Sequence, residues 1–362
     1  MRRLLLLGAL LFLALPASAE ETLLDEVGFS AIVDAAQEVD GFDAQKTVRA
    51  LIEGELPLDG LSPERIARAL GHAVRENLLS LLAALGPVYA ASLFIRLLFG
   101  DDSRGSRGLR VFCRTACASL LAARYAGMRN SLEAFLGTLA RLTETMTPVL
   151  ASALTLAGGT TSASFLSPLS ALCVGLIEKG IAGLGLRLCG VAAAAAIAGG
   201  LTQRLRLQRL FSLARFVMRA GIGVVTAAFM GLLWVQGLLG SGRDSVALRA
   251  ARLAVENLVP MIGGDMSDTM DSLAGSALIV RNAVGVTGLL LLLSACAAPI
   301  LSLTSTMLSM KLAAAILENA GDRNLTEMTA GFAEVMEMLL TAAAGGAALA
   351  LLLAGATLAA LG

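Results

Sequence analysis

Long apolar stretches dominate the chain, and short polar segments separate them. The apolar runs cover approximately residues 77–99, 165–201, 217–239, 283–307 and 339–361. An α-helix needs about 20 mostly apolar residues to cross a bilayer. The run at 165–201 is too long for one straight span and short for two, which predicts a broken or re-entrant helix pair there. The pattern predicts an all-α, polytopic membrane protein with about six transmembrane helices plus amphipathic or re-entrant segments.

The pattern is weaker between residues 111 and 150. Arg114 and Arg124 interrupt the apolar run at 111–128, which predicts a tilted span or an interfacial helix. The following segment, 131–150, is amphipathic, with Glu133, Arg141 and Glu144 on its polar side. These two segments are therefore weaker candidates for membrane spans than the five runs.

The first 19 residues have the three parts of a secretory signal. Arg2-Arg3 form a positive region, an apolar core follows, and Ala17-Ser18-Ala19 form a small-residue cleavage site. We therefore predict a cleavable signal peptide at 1–19, with an uncleaved signal anchor as the alternative. In both cases the residues that follow are delivered outside the cytoplasm.

Residues 20–76 form an acidic region with the pattern of short amphipathic helices. Ser62-Pro63-Glu64 begins the last of them well, because Ser caps a helix and Pro suits its first position. We predict an extracytoplasmic helical region here, which either docks a partner or caps the membrane domain at 77–362. The two roles remain alternatives at this stage.

The arginines predict the topology of the membrane domain. Arg104, Arg107 and Arg110 lie on a Gly/Ser-rich segment after the first span, which indicates a cytoplasmic loop. The segment from Arg204 to Arg219 is the most basic of the chain and fits a cytoplasmic amphipathic segment on anionic lipid. The next span then leads outward, so the amphipathic segment 241–282 is expected to be extracytoplasmic.

The most patterned part of the chain lies within that segment. An amphipathic stretch ends at a proline and a glycine pair, aspartates then recur every third residue, and a polar pair precedes the next apolar run. The candidate interface or structural residues in this pattern are Pro260, Gly263, Gly264, Asp268, Asp271, Arg281 and Asn282.

The aspartates of this pattern have three interpretations. They fit a solvated first helical turn, an interaction surface for a partner protein, or an ion-binding or carboxylate site. The calcium-loop pattern is absent, and no Lys follows the glycine pair as a phosphate-binding loop requires. The first two interpretations are therefore favoured over ion binding.

Glu178 and Lys179 are adjacent charges inside an apolar stretch. Charged residues at membrane depth are candidates for function, and adjacent positions on a helix face different directions. The pair fits a transport role, a structural or inter-subunit ion pair, or an interfacial location.

Composition narrows the classes of function. Hydrophobic residues make up 56% of the chain and charged residues 15%, whereas soluble domains carry about a quarter charged residues. The formal net charge is zero, which disfavours nucleic-acid binding. The five cysteines lie in apolar stretches and His72 is the only histidine, so we predict no catalytic residues, no metal and no cofactor.

Small residues recur every fourth position in the last apolar run. They are Ala342, Gly346, Ala350 and Ala354. Such a stripe allows two helices to approach closely, either within this chain or between copies in a homo-oligomer. The sequence leaves both alternatives open.

An ordered series of residues resembles the stage III sporulation protein AE family of endospore-forming bacteria. Its central part is Pro260, Gly263, Ser267-Asp268-Thr269, Asp271-Ser272, Ser276, Arg281-Asn282-Ala283, Gly285 and Gly288. The flanking matches are Gln236-Gly237, the segment 244–252, Pro299, Lys311-Leu312, Ala314-Ala315 and Gly321-Asp322. The family usually has Lys where this chain has Arg281, which keeps the charge.

The resemblance implies a function. It implies a membrane subunit of a multiprotein channel or secretion-like complex, which lies in the mother-cell membrane around the forespore and works with other stage III sporulation proteins. A stand-alone secondary transporter or permease is the alternative, which the charged pair and the irregular apolar stretch suggest. An enzyme is not expected, because no nucleophile, base and orienting group assemble from these residues.

The topology can be tested with single cysteines in a cysteine-free background. We expect an impermeant maleimide to label Ser30→Cys in intact cells and to leave Ser106→Cys unlabelled until the cells are opened. Protection of position 30, or labelling of position 106 in intact cells, would contradict the predicted topology.

Overall fold

The computed structural model describes residues 30–36, 43–52, 63–99, 104–156, 160–201, 208–235, 263–318 and 323–361. These ranges contain helices and no strand, which confirms the all-α prediction. The helices are α1 (Ser30–Ala36), α2 (Ala44–Ile52), α3 (Pro63–Phe99), α4 (Arg104–Leu156), α5 (Thr160–Gly175), a π segment (Leu176–Gly185), α6 (Leu186–Leu201), α7 (Gln208–Val235), α8 (Gly263–Leu317) and α9 (Arg323–Leu361).

Five helical stretches in these ranges are long and apolar enough to cross a membrane. They are Ala67–Ile95, Ala163–Leu201, Phe211–Leu233, Ala283–Leu317 and Arg323–Leu358. The polytopic class is therefore confirmed, with five candidate spans where about six were expected. Helix α4 is not among the five, and it carries charged residues along much of its length.

The N-terminal region packs on the membrane helices. Helices α1 and α2 bury Ile32, Ala36 and Val48, and they contact α4 and α8 respectively. This packing favours the cap over a free docking region. Helix α3 begins at Pro63, as its start signals predict, and continues through Pro87 without a break. The predicted signal peptide lies outside the described residues.

One prediction about a chain break was wrong. The stretch at 165–201 is continuous helix, in which the π segment takes the place of the expected break. A π turn keeps the backbone hydrogen-bonded, whereas a break at membrane depth leaves groups to be satisfied by other means. The segments 111–128 and 131–150 likewise belong to one helix, α4.

The predicted secondary structure of the first group of arginines was also wrong. The segment from Arg104 to Arg110 was expected to be a loop, but it forms the first turns of α4. Gly and Ser lower local helix propensity, yet extending an existing long helix is easier than starting a new one. The prediction about the side of the membrane is separate from this correction and stays a prediction.

Contacts between side chains define how the helices run. The guanidinium of Arg124 on α4 donates to the hydroxyl of Ser80, so α3 and α4 form an antiparallel hairpin. Helix α9 runs parallel to α4, because two contacts occur in the same order along both helices. With its amide oriented to satisfy its hydrogen bonds, Asn324 accepts from Arg114, and further along Gly346 lies against Leu136. The offset in residue number between α4 and α9 is the same at both contacts. The two helices therefore keep one register between them.

Helix α9 is the centre of the bundle. Its apolar segment is 61% buried, whereas the other four candidate spans are between 17% and 39% buried. The predicted stripe of small residues faces the core, and its members are all buried: Ala342, Gly346, Ala350 and Ala354. The stripe therefore serves close packing within this chain.

Glycines of α9 touch three different neighbours. A Cβ at Gly331 would stand 3.3 Å from the Cβ of Ala196 on α6. At Gly345 it would stand 2.7 Å from Ile222 on α7, and at Gly346 it would stand 2.6 Å from Leu136 on α4. The absence of side chains at these positions lets α9 approach three helices at once.

Several buried hydroxyl groups are satisfied locally or across helices. Thr287 on α8 donates to the carbonyl of Ala283 at 2.7 Å, one turn earlier. Across helices, Asn77 donates to Ser305 at 2.9 Å, and the hydroxyls of Tyr89 and Thr329 are 2.9 Å apart. These bonds hold α3 to α8 and α9 and satisfy the groups that form them, whereas the buried hydroxyl of Tyr125 has no hydrogen-bond partner in the described ranges.

The close packing of α9 predicts a strong position effect for enlarged glycines. Gly346→Leu should destabilise the protein by about 1–3 kcal/mol, because the new side chain overlaps Leu136. Gly355→Leu on the same helix is the matched control, since a Cβ there meets nothing within 4 Å. Thermal unfolding of the detergent-purified variants measures the difference, and equal unfolding temperatures would contradict the prediction.

Candidate functional site

Five charged side chains meet where α7, α8 and α9 come together. We call them the charge cluster: Arg215, Arg219, Lys311, Glu334 and Glu337. Arg215 and Arg219 are four residues apart on α7, so they share one face of the helix. Glu334 and Glu337 are three residues apart on α9 and also share a face. The two faces meet because α7 and α9 run side by side in the same direction.

The ion pairs follow this register. A guanidinium nitrogen of Arg215 lies 2.8 Å from Oε2 of Glu334. Arg219 donates to Oε1 of Glu337, and Nζ of Lys311 donates to Oε2 of the same carboxylate at 2.8 Å. Glu337 therefore connects three helices through one carboxylate.

Burial separates the centre of the cluster from its rim. The side chain of Glu337 is 18% exposed, whereas those of Arg219 and Lys311 are 56% and 46% exposed. Exposed ion pairs contribute about 0–1 kcal/mol, and removing one member of a more buried pair costs more because its partner stays uncompensated. Glu337 is thus the member whose loss should matter most.

The cluster lies at one end of three apolar runs. Arg215 precedes the run at 217–239, Glu337 precedes the run at 339–361, and Lys311 follows the run at 283–307. The structure brings these three ends together, and the predicted topology expects the first of them, the basic segment, on the cytoplasmic side. Charges at such a boundary stay near water while their pairs tie the helices together.

Part of the prediction for the basic segment needs correction. Arg215 and Arg219 were expected to face anionic lipid, but both are paired with glutamates of α9. The carboxylates were not foreseen. The sequence pattern that could have predicted these ion pairs is a matched spacing. Two glutamates lie one turn apart in one apolar helix, and two arginines lie one turn apart in another. The side chains of Arg204, Arg206 and Arg209 lie outside the described residues.

The residues of the patterned segment lie at the start of α8. The helix begins at Gly263, so Gly264, Asp268 and Asp271 occupy its first turns, as a helix-start interpretation requires. Arg281 and Asn282 follow on the same helix. The side chains of residues 263–282 and all of Pro260 lie outside the described residues, and the interface interpretation stays a prediction.

Glu178 and Lys179 lie in the π segment. Both side chains are exposed on the surface of the chain. They are therefore not a buried pair that joins helices of the same molecule. Neither belongs to the charge cluster, which is built from α7, α8 and α9.

The chemistry available to the charge cluster is that of ion pairing. It contains cations and carboxylates but no nucleophile next to a base. The five cysteines are buried thiols that do not form disulfides. In the ranges that the structure describes, no group of three or more His, Cys, Asp or Glu residues is arranged to hold a metal.

Comparison with known proteins identifies relatives by sequence. A profile of the family described as stage III sporulation protein AE matches residues 45–361. Stage III sporulation protein AE of Bacillus subtilis (strain 168) is 28% identical over 174 residues, which are 48% of this chain and 44% of that protein. The aligned part thus spans less than half of that relative. No solved structure matches the chain.

The charge cluster predicts a specific loss of stability. Glu337→Gln should lower the free energy of unfolding by about 1–3 kcal/mol, because Arg219 and Lys311 lose their counter-ion. Glu327→Gln is the control, since its ion pair with Arg323 is largely exposed. Thermal unfolding in detergent compares the two variants. A loss of stability in Glu327→Gln as large as that in Glu337→Gln would contradict this interpretation.

Proposed function

The chain belongs to the stage III sporulation protein AE family, and we propose that it is a membrane subunit of a multiprotein channel or secretion-like complex needed for endospore formation. The profile match covers nearly the whole chain, and the family has a role in sporulation. The complex and the place of this subunit in it are the proposal. We place it in the mother-cell membrane around the forespore, with other stage III sporulation proteins as its partners.

One structural observation supports a subunit over a stand-alone transporter. In the described ranges, the fully buried polar residues are serines and threonines, whereas Glu178 and Lys179 are exposed. Secondary transporters typically bind their substrate near the bilayer midplane, between helices of one molecule. Here the centre is filled by the closely packed α9. Glu178 and Lys179 face outward, where a neighbouring protein can reach them.

The exported face is the expected meeting place with partners. The predicted topology places the start of α8 and the acidic N-terminal region on that face. Asp268 and Asp271 lie on the first turns of α8. Carboxylates there can accept hydrogen bonds and ion pairs from another protein. These two residues are therefore the first to test.

The experiment is recovery of partners from sporulating cells of the native host. A tagged wild-type chain should co-purify with other stage III sporulation proteins, and deletion of its gene should abolish heat-resistant spores. Recovery of the chain without such proteins, together with normal sporulation of the deletion strain, would overturn the proposed function.

The aspartates give a sharper version of the experiment. Asp268→Asn with Asp271→Asn keeps size and most hydrogen bonding but removes charge. We expect a stable, membrane-inserted protein with weaker partner recovery and fewer spores. Asp to Glu at both sites is the matched control, since it keeps the charge and should be milder. Normal assembly of the double Asn variant would reject the interface and favour the helix-start interpretation.

A further inference from the structure

Helix α4 has a polar face that its own chain leaves uncovered. A shallow groove of about 430 Å³ runs along it, lined by Asn130, Glu133, Ala134, Gly137, Thr138 and Arg141. The opposite face is buried in the core through Leu132, Leu136 and Leu139. The helix is thus amphipathic, with its polar side exposed.

The groove lies level with two of the candidate membrane spans. Leu136 of α4 packs against Gly346 of α9, and Met146 packs against Gly288 of α8. Both glycines are well inside candidate membrane spans. Glu133 and Arg141 therefore lie level with the apolar interior of the bundle. Charged side chains at this depth face protein or water rather than lipid.

The π segment presents a second set of charges at a similar depth. The α4 helix and the α5–π–α6 stretch are antiparallel, and Tyr125 lies against Gly190, with its hydroxyl 3.6 Å from the position a Cβ would take. Counting along both helices from this contact brings Lys179 to within about one helical turn of the level of Leu136, since a π segment rises less per residue than an α-helix. Glu178 and Lys179 are exposed there.

The two sets of charges are opposite in sign and lie at similar heights. Glu178 and Lys179 both fall between the levels of Glu133 and Arg141, so each lies within about two helical turns of its proposed partner. Long side chains reach across such an offset. Among the ion pairs between described residues, none includes Glu133, Glu178 or Lys179.

Both surfaces also permit close approach. A Cβ at Gly137 in the groove meets nothing within 4 Å, and the same is true of Gly180 beside Lys179. Small residues beside polar ones are characteristic of helix contacts inside membranes, where close backbones and polar bonds replace the hydrophobic effect.

We propose that the α4 groove of one copy receives the π segment of a second copy, with Lys179 against Glu133 and Glu178 against Arg141. The contact covers both charged surfaces at once and removes them from lipid. It goes beyond the proposed function, because it joins copies of this chain and needs no other protein. Failure of either proposal therefore leaves the other standing.

Cross-linking between copies tests the contact. Glu133→Cys and Lys179→Cys are placed on separately tagged copies, which are expressed together and oxidised in membranes. The native cysteines are buried, so they stay in place. We expect a disulfide-linked dimer that carries both tags. Val224→Cys replaces Lys179→Cys as the control, since Val224 is 69% exposed on α7 and outside the proposed contact. No mixed dimer, or equal yields with the control, would overturn the proposal.

Charge reversal gives a second readout without cysteines. We expect the purified wild type to form an oligomer by native mass spectrometry, and Glu133→Lys or Lys179→Glu alone to dissociate it. The double variant restores the pair in reversed sense and should restore the oligomer. A monomeric wild type, or an oligomer that neither single reversal affects, would overturn the contact.

Discussion

Close packing around helix α9 is the constraint on which the rest of the structure depends. In a membrane, helices gain little from the hydrophobic effect against one another, so backbone proximity and dispersion contacts have to hold them together. Gly331, Gly345 and Gly346 allow α9 to touch α6, α7 and α4 without displacing their side chains. The order of the other helices around the bundle follows from this central contact.

The charge cluster is a consequence of the same packing. Arginines of α7 reach glutamates of α9 because the two helices run parallel at close range. Glu337 then connects this pair of helices to Lys311 of α8. The small residues determine how near the helices come, and the ion pairs fix their register.

Two groups of charges in the described ranges differ in their partners. Those of the cluster are paired within the chain, where they join helices. Glu133, Glu178 and Lys179 instead have exposed side chains. A protein that worked alone in lipid would gain nothing from such outward charges, which cost free energy wherever lipid touches them. Their placement fits a chain that works within an assembly, in agreement with the role proposed for this sporulation protein.

Sequence by itself determined the helical class, the apolar runs long enough to span a membrane, and the family. It also determined the start of α3 at Pro63. These features depend on periodicity and on preferences between near neighbours in the chain. Tertiary structure decided the rest. It turned the expected break at 165–201 into a π segment and assigned the small-residue stripe to the core of one chain. It also paired Arg219 with Glu337. Those outcomes depend on which helices pack together, and contacts between residues far apart in sequence leave no periodic signal along the chain.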